Sequence, residues 1–401
     1  MRKAYIVAAK RSAIGTFMGS LSNVEVADFG ATVLKAAIDQ AGIDPANLDE
    51  VIVGNVIAAG LGQNIARHVA INAGVPVEVC AQSINMLCGS GLKAVMEATL
   101  RIQANFGDLY VAGGVESMTG APFLLNAKIR NGVKMGDQKL VDSMLHDGLT
   151  DAMYNIHMGV TADNIAKKYN ISREDQDAFA LASQEKAAAA IAGGKFKEEI
   201  VPIEIKTRKG VVVFDTDEHP RATSAEKLAK LRPAFTADGT VTAGNASGIN
   251  DGASFCIVAS EDAVKKYNLK PIAEVIGFGQ GGVDPRVMGL GPTPAILNAL
   301  KYANLSINDI ELVELNEAFA SQSLGVIHEL EEATGMDREA FMAKTNVNGG
   351  AIALGHPVGA SGNRILVSLI HEMKKRDLSI GLASLCIGGG QGAAVIVKMC
   401  K

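Results

Sequence analysis

The chain of 401 residues has no tryptophan and is poor in the other aromatic residues, which together make up 4% of it. Its formal net charge is −5 and its basic residues form no long run, so nucleic acid is not expected as a partner. No apolar run approaches the length of a membrane span, so no membrane partner is expected either. Small residues are abundant, including 43 glycines, and these favour closely packed layers of helices and sheet.

Cysteine is also scarce, and its spacing excludes two common uses. The five cysteines are far apart and odd in number, and none forms a Cys-X-X-Cys pair. This argues against a disulfide framework and against a structural zinc site, so we expect no bound metal and a reducing, cytoplasmic location. The first apolar run, Ala4 to Ala9, is cut short by Lys10-Arg11 and predicts a buried strand rather than a signal peptide.

Strand and helix patterns alternate through residues 1–119, weaken over residues 120–247 and then resume. Such alternation favours an α/β fold with a mostly parallel sheet covered by helices, and the length favours more than one packed unit. The central stretch holds one clear helix, Ser172–Ala192, with Ser172 as its N-cap. We interpret it as an insertion that covers one end of the sheet. The strands predicted later in the chain include Leu312–Leu315 and Thr345–Val347.

The two outer parts of the chain share a pattern that indicates an internal repeat. In each part, a strand leads into a glycine-rich turn and then into a long amphipathic helix. The matched pairs are Leu48–Asn55 with Ile310–Asn316, Ser83–Leu100 with Asn346–Met373, and Gly113-Gly114 with Gly388-Gly389. We therefore predict two similar halves, formed by residues 1–119 with 248–270 and by residues 271–401, around the inserted residues 120–247.

Cys88 is the first candidate for chemistry. A strand is predicted to end there and a helix to begin, and the N-terminus of a helix favours the thiolate form of a cysteine. Gly89 and Gly91 follow it, and glycines let a substrate carbonyl approach the backbone. Cys88 is therefore a candidate nucleophile, and the alternative of a buried, unreactive cysteine stays open on these residues alone.

Three further residues stand where strands or glycine-rich loops end. His356 has glycines on both sides and a proline directly after it, and histidine is the usual base for a cysteine nucleophile. Cys386 precedes a run of glycines whose N–H groups can point at one oxygen; a buried strand-end cysteine or a phosphate-binding loop are the alternatives. Asn316 is either the N-cap of the next helix or an amide that orients a group toward an oxyanion.

Together these motifs resemble the four active-site motifs of the thiolases. They are the turn with Cys88, then Asn316-Glu317-Ala318-Phe319, then Gly355-His356-Pro357, and finally Cys386 with its glycines. The likeness extends over essentially the whole chain and is nearest to short-chain acetyl-CoA acetyltransferases. It implies the thiolase fold, with two βαβαβαββ halves in an α-β-α-β-α sandwich and an inserted loop domain. It also implies a homodimer or a homotetramer built as a dimer of dimers.

The resemblance further implies a reaction, in which two acetyl-CoA give acetoacetyl-CoA and CoA by a ping-pong route, with the thioesters as substrates and no cofactor. By this resemblance Cys88 takes the acetyl group, His356 deprotonates it, and Cys386 moves the α-proton. Asn316 positions a water in one oxyanion hole, and the N–H groups of Cys88 and Gly388 form the other. The residues expected to contact CoA or the acyl group are Leu149, His157, Met158, Arg221, Phe235, Ala243, Ser247, Met288, Ala318 and Phe319.

Three other functions compete with this one. A 3-ketoacyl-CoA thiolase that degrades longer chains would use the same catalytic residues with a different pocket, and Met288 favours the short chain. A ketoacyl synthase, which acts on carrier-protein substrates, uses a Cys-His-His site. In this chain the third residue of the site, Cys386, resembles the cysteine of the thiolase motif instead of a second histidine. A CoA-binding scaffold without activity would have lost a catalytic residue, and none is lost here.

Overall fold

Strands and helices alternate along the computed structural model, which describes residues 1–400. The strands are β1 (Ala4–Ser12), β2 (Gly15–Thr16), β3 (Glu50–Gly54), β4 (Cys80–Ile84), β5 (Leu109–Ser117), β6 (Phe123–Leu125), β7 (Leu140–Asp142), β8 (Thr150–Asp151), β9 (Ile156–His157), β10 (Ile200–Val201), β11 (Ile203–Thr207), β12 (Gly210–Phe214), β13 (Asn250–Ser260), β14 (Ala273–Gly282), β15 (Leu312–Leu315), β16 (Ile380–Ile387) and β17 (Gln391–Met399). The helices are α1 (Val26–Ala41), α2 (Ile65–Asn72), α3 (Ser90–Gln103), α4 (Met158–Tyr169), α5 (Arg173–Ala192), α6 (Ala225–Ala229), α7 (Glu261–Lys266), α8 (Pro292–Ala303), α9 (Ala320–Thr334), α10 (Arg338–Ala343), α11 (Ala351–Leu354) and α12 (Val358–Arg376).

The two halves of the chain build similar sheet patterns. In the first half β4, β3 and β5 are parallel neighbours, and β13 and β1 follow as antiparallel strands. In the second half β15 and β16 are parallel, and β17 and β14 follow as antiparallel strands. β1 and β14 shift register at matching places, after Ile6 and after Val275, and they pair with each other through Ile6 and Ala273. The internal repeat predicted from the sequence is therefore present.

Five layers follow from this arrangement. Every residue of β13 and all but the first residue of β16 are buried, as expected for strands that are covered on both faces. α1 and α2 cover the outer face of the first half-sheet, α8 and α9 cover the outer face of the second, and α3 and α12 lie between the two. The predicted α-β-α-β-α sandwich is confirmed.

The two middle helices cross closely because glycines stand at their contact. A Cβ atom added at Gly91 would lie 2.9 Å from a backbone nitrogen of α12, and one added at Gly362 would lie 2.6 Å from a backbone nitrogen of α3. Backbone meets backbone near the N-terminal ends of both helices. The turns that precede these helices, which carry Cys88 and His356, are therefore brought to one place.

Several local predictions are wrong. Thr345–Val347 is not a strand, because only a single bridge to β15 forms there, so the second half-sheet has one strand fewer than the first. The sheet is mixed rather than mostly parallel, because β13 and β17 run antiparallel to both of their main neighbours. The glycine pairs do not match, because Gly113-Gly114 lies inside β5 and Gly388-Gly389 lies in the turn after β16. The approach to His356 is not a plain loop, because it contains α11.

Residues 120–247, which the sequence predicts to be an insertion, contain β6 to β12 and α4 to α6. Of these strands only β10 joins the main sheet, beside β1, and the others form three separate two-stranded sheets. The longest helix, α5, is capped as predicted, because the backbone N–H of Asp175 donates to the Ser172 hydroxyl at 3.0 Å. Across residues 1–400, no helix has both the length and the apolar character needed to cross a bilayer.

Candidate active site

Cys88 lies in a tight turn between β4 and α3 that local hydrogen bonds hold in shape. The Ser90 hydroxyl accepts from the backbone N–H of Met86 at 2.9 Å and donates to the carbonyl of Leu87 at 2.7 Å. Leu87 has a φ of 47°, a left-handed conformation that residues other than glycine seldom adopt. α3 begins at Ser90, so the turn leaves Cys88 just before the helix, where it lines an interior cavity.

The resting state of Cys88 contradicts the prediction of a helix-stabilised thiolate. Burial raises the pKa of its thiol to about 11, and the carboxyl of Glu116 acts in the same direction. The backbone N–H groups of Gly388 and of Cys88 itself oppose this shift without overcoming it. Cys88 is half-buried and lines the cavity. A partner must therefore take the proton when the sulfur attacks.

His356 has the properties that such a partner needs. Its backbone N–H donates to the Asn250 side chain at 2.9 Å, which anchors the segment before α12. Its Nδ1 lies 2.6 Å from the Ser361 hydroxyl, which donates to the carbonyl of Pro357 at 2.9 Å. The ring thus donates from Nδ1, and Nε2 keeps its lone pair without a partner among the described residues. Burial, together with the charge of Arg364, lowers the pKa of His356 to about 3 and keeps the ring neutral.

Cys386 is fully buried in β16, in the half of the chain that does not contain Cys88. Its pKa is raised well above the usual value by burial and by the neighbouring Cys88 sulfur, so the two thiols lie near each other. The turn that follows depends on glycine, because Gly389 and Gly390 have φ values of 77° and 84°. This turn directs the N–H of Gly388 toward Cys88. Both thiols are therefore protonated at rest and share one donor-lined corner.

Asn316 is not a helix N-cap, because α9 begins only at Ala320. Its backbone N–H donates to the carbonyl of Ser384 at 2.9 Å, and its side-chain oxygen accepts from Arg364 at 3.4 Å. Its amide nitrogen is buried and has no hydrogen-bond partner within residues 1–400. The side chain is buried and does not line the cavity, so an action on a substrate would need an intermediate such as a water.

A cavity of about 560 Å³ joins the candidate groups, which is within the usual size range of small-molecule sites. Every residue predicted for catalysis or binding lines it, except Asn316. The lining residues among those predicted are Cys88, Leu149, His157, Met158, Arg221, Phe235, Ala243, Ser247, Met288, Ala318, Phe319, His356, Cys386 and Gly388. The fold thus brings together residues from both halves and from the insertion.

The insertion supplies aromatic and basic groups to the outer wall. The rings of His157 and Phe235 stack with their centroids 4.7 Å apart, and Phe319 meets Phe235 edge-on at 6.2 Å. The exposed guanidinium of Arg221 donates to the carbonyl of Ala243 at 2.6 Å. A stack of flat rings with a cation nearby suits a ligand that has both a ring and negative charge.

Glu116 was not predicted to belong to the site. It stands near the end of β5, is buried, and accepts from the backbone N–H groups of Val56, Ile57 and Gly359 at 2.8 to 3.1 Å. Burial raises its pKa to about 7. It ties the turn after β3 to the first turn of α12, so it fixes the two halves to each other beside the thiols. The sequence could have indicated Glu116, because it is the one acidic residue in the otherwise largely apolar strand β5.

His219 was also missed, because it lies in a polar stretch that shows no regular pattern. It lines the cavity, and its Nε2 is buried with no partner in the described part of the chain. Burial, with the charge of Arg221, lowers its pKa to about 4, so the ring is neutral. Only the packing of the insertion on the two halves places this ring at the cavity.

A second cavity of about 680 Å³ lies between α5, α9 and α10. It holds neither of the two thiols nor His356, so a cysteine-based reaction belongs to the smaller cavity. Glu317 lines the second cavity and accepts from Ser183 at 2.6 Å and from Asn346 at 2.9 Å. Within the part of the chain that the structure describes, no three His, Cys, Asp or Glu side chains are grouped so as to hold a metal ion.

Known protein families agree with this geometry. The family model of the thiolase N-terminal domain matches residues 4–262, and that of the thiolase C-terminal domain matches residues 269–399. The chain is 53% identical over 399 residues to the acetyl-CoA acetyltransferase of Escherichia coli (strain K12), with 99% of each protein covered. It is 52% identical over 400 residues to that of Cupriavidus necator, with 99% of this chain and 100% of the relative covered.

Solved structures show the same likeness in three dimensions. The crystal structure of the Bacillus anthracis acetyl-CoA acetyltransferase matches with a TM-score of 0.94 at 45% identity, covering 100% of this chain and 99% of that one. Human mitochondrial 3-ketoacyl-CoA thiolase matches with a TM-score of 0.94 at 46% identity and the same coverage. Its complex with CoA matches with a TM-score of 0.93 at 45% identity, covering 100% of this chain and 98% of that one.

Proposed function

The chain belongs to the thiolase family and is an acyl-transferring enzyme, and we propose that it is an acetyl-CoA C-acetyltransferase. It joins two acetyl-CoA reversibly into acetoacetyl-CoA and CoA. The observation that carries this proposal is a single cavity in which two thiols meet a neutral imidazole, namely Cys88, Cys386 and His356. The curated relatives reported above, which match along almost the whole chain, are named for this activity.

The first half-reaction transfers an acetyl group to Cys88. The sulfur attacks the thioester carbonyl carbon while its proton passes to Nε2 of His356. The carbon–sulfur bond to CoA breaks, and the leaving CoA sulfur takes the proton of Cys386 and departs as a thiol. An acetyl thioester on Cys88, a protonated His356 and a Cys386 thiolate remain. The two new charges have opposite signs and line one cavity, so they offset each other.

The second half-reaction makes the carbon–carbon bond. The Cys386 thiolate takes a proton from the methyl group of a second acetyl-CoA, and the enolate carbon attacks the carbonyl of acetyl-Cys88. The bond between that carbonyl and the Cys88 sulfur breaks, and the sulfur recovers its proton from His356. Acetoacetyl-CoA leaves with both thiols and the neutral ring restored. The cycle therefore balances without a cofactor.

Two sets of donors serve the oxygens that become negative. The N–H groups of Cys88 and Gly388 already act on the Cys88 sulfur, beside the carbonyl oxygen of an acetyl group bound there. Protonated His356 and a water held by Asn316 donate hydrogen bonds to the enolate oxygen. Losing one donor of such a hole costs about 10²- to 10³-fold in rate.

Coenzyme A binds along the insertion. The stacked rings of His157 and Phe235 and the guanidinium of Arg221 suit its adenine and phosphates. The small side chains of Ala243 and Ser247 suit the narrow pantetheine arm. A solved relative of closely similar fold holds CoA, which supports this assignment.

Met288 limits the acyl end of the cavity. It lines the cavity and is buried in an apolar cluster with Phe319 and Cys386, so a large side chain fills space beside the Cys386 thiol. A 3-ketoacyl-CoA thiolase is the second candidate, because a human enzyme of that name has the same fold. The ratio of kcat/KM for acetoacetyl-CoA to that for a medium-chain 3-ketoacyl-CoA separates the two. A ratio above one supports the short-chain assignment, and a ratio below one overturns it.

Exposed apolar groups support assembly into a homodimer or homotetramer. Phe123, Met135 and Leu140, in and beside the β6–β7 pair, are 64%, 92% and 62% exposed, and β4 lies at an edge of the sheet. Such features are typical of subunit contacts.

A cytoplasmic place in fatty acid metabolism is consistent with the unpaired cysteines and the thioester substrates. Light scattering coupled to gel filtration tests the assembly, and a monomer at micromolar concentration would contradict it.

The deciding experiment is thiolysis of acetoacetyl-CoA by free CoA, followed by the loss of enolate absorbance. Wild type should turn over, and Cys88→Ser should fall below about a thousandth of that rate because the hydroxyl is a far weaker nucleophile in this setting. Cys400→Ser, at a half-buried cysteine that does not line the cavity, is the matched control and should keep the wild-type rate. Substantial activity in a folded Cys88→Ser protein would overturn the proposed nucleophile.

A further inference from the structure

A buried guanidinium next to Asn316 has few partners. Arg364 in α12 is 1% exposed. Its Nη2 donates to the side-chain oxygen of Asn316 at 3.4 Å, and its Nη1 lies 3.8 Å from a carboxylate oxygen of Glu314. Its Nε and Nη1 have no hydrogen-bond partner among residues 1–400. A cation buried in this way costs stability, so its position calls for a functional reason.

A second buried arginine shows how different a fully paired guanidinium looks. Arg11 donates to both carboxylate oxygens of Asp217 at 2.7 and 2.9 Å and to Glu199 at 2.6 Å. These contacts join the first strand to the insertion, which is a structural task. Arg364 has no such carboxylate fork, and its one side-chain hydrogen bond goes to an amide of the candidate site.

The chemistry of the two groups determines how that amide is turned. A guanidinium has only donors, so an amide in contact with it must present its oxygen. The Asn316 NH2 group is then held at the opposite end, where it is buried and unpartnered within the described residues. A flipped amide would set NH2 against the guanidinium and would place an acceptor where the enolate oxygen needs a donor.

We propose that Arg364 is a positioning residue that holds Asn316 in the one orientation in which its NH2 group serves the oxyanion hole. This inference rests on the proposed thiolase reaction. Arg364 does not line the cavity, so it acts through Asn316 and not on the substrate. The charge of Arg364 also acts on His356, whose pKa it helps to lower.

A double-mutant cycle tests the coupling. Arg364→Lys keeps a charge but is too short to reproduce the Nη2 contact with Asn316, so kcat for acetoacetyl-CoA thiolysis should fall about 10- to 100-fold with little change in KM. Asn316→Ala alone should lose about 10²- to 10³-fold. The double variant should be no slower than Asn316→Ala, because Arg364 acts through residue 316. A double-variant loss equal to the product of the two single losses would overturn the proposal.

The pH profile gives a readout that a merely structural role would not move. Arg364→Met removes the charge, so the acidic limb of kcat should shift to higher pH, because His356 then holds its proton more readily. Arg364→Lys should leave that limb close to the wild-type position. Coinciding profiles for the Met variant and wild type would mean that the charge of Arg364 does not lie beside the candidate site, which would contradict the proposal.

A stability measurement covers the case in which the Arg364 variants fail to fold. Asn316→Asp should remove activity yet melt at a higher temperature than Asn316→Ala, because both carboxylate oxygens accept from the guanidinium. An Asp variant that melts below the Ala variant would show that residue 316 does not face Arg364. Melting needs no turnover, so this result stands apart from the proposed function, which fails only if wild type does not cleave acetoacetyl-CoA.

Discussion

The turn that carries Cys88 and the turn that carries His356 occupy equivalent places in the two halves, yet they are built differently. The first is a short link between β4 and α3, held by Ser90 beside a strained Leu87. The second follows a single bridge in place of a strand and contains α11 before α12 begins. The halves share the close helix crossing that brings the turns together and differ in the chemical group that each turn presents.

Burial acts on both turns in the same physical way, because it disfavours the charged form of each group. It raises the pKa of Cys88 to about 11 and lowers the pKa of His356 to about 3. Between those values, thiol and ring are both neutral at rest. Charge should appear only when substrate lets the proton move from one half of the molecule to the other.

The largest expected effect distinguishes the roles of the two thiols, Cys88 in the first half and Cys386 in the second. Cys386→Ala should slow acetoacetyl-CoA thiolysis by about 10²- to 10⁴-fold, because no acid then protonates the leaving carbanion. Exchange of labelled CoA into acetyl-CoA also uses the proton of Cys386, but it should fall less, because a thiolate leaves without a proton far more readily than a carbanion does. Stopped assays of both reactions on one preparation check this, with Cys88→Ser as the variant that should lose both. Equal losses in the Cys386 variant would refute the division of labour.

The next effect concerns the resting state of Cys88. Its alkylation by iodoacetamide should rise about tenfold per pH unit between about pH 7 and pH 9.5, because only the thiolate reacts. At pH 8.5 it should be about a hundredfold slower than a free cysteine, given a pKa of about 11. Mass spectrometry of the Cys88 peptide measures the rate. An alkylation rate that stops rising below pH 9 would contradict the raised pKa and would support a Cys88 thiolate stabilised by the helix.

The smallest expected effect tests the crossing that the halves share. Gly91→Ala should destabilise the protein by about 1–3 kcal/mol, because the new methyl group meets the backbone of α12 at 2.9 Å. Gly282→Ala is the matched control, since its added atom would lie 3.9 Å from the nearest neighbour, the carbonyl oxygen of Gly390. Urea unfolding compares the two. Equal stabilities would mean that the helices are not in tight contact.

Much of the fold was predictable because its strands and helices follow local apolar patterns. Leu312–Leu315 was predicted with its observed limits, and the Ser172 cap was found from its neighbours alone. Thr345–Val347 failed because a strand exists only if a neighbour pairs with it, and there a single bridge forms. The sequence left two roles for Asn316, a helix N-cap or an amide that serves an oxyanion. The motif around Asn316 does not reveal where the next helix begins, and an N-cap depends on that position.

By itself the sequence determined the order of the elements, the duplicated pattern and the reactive groups Cys88, His356 and Cys386, because each of these is written in residues that are neighbours in the chain. Only the tertiary structure decided the protonation of those groups, because burial and nearby charge come from residues that are remote in sequence. It alone also placed His219 on the cavity and set the amide of Asn316 against Arg364, since contacts of this kind exist only once the halves and the insertion pack together.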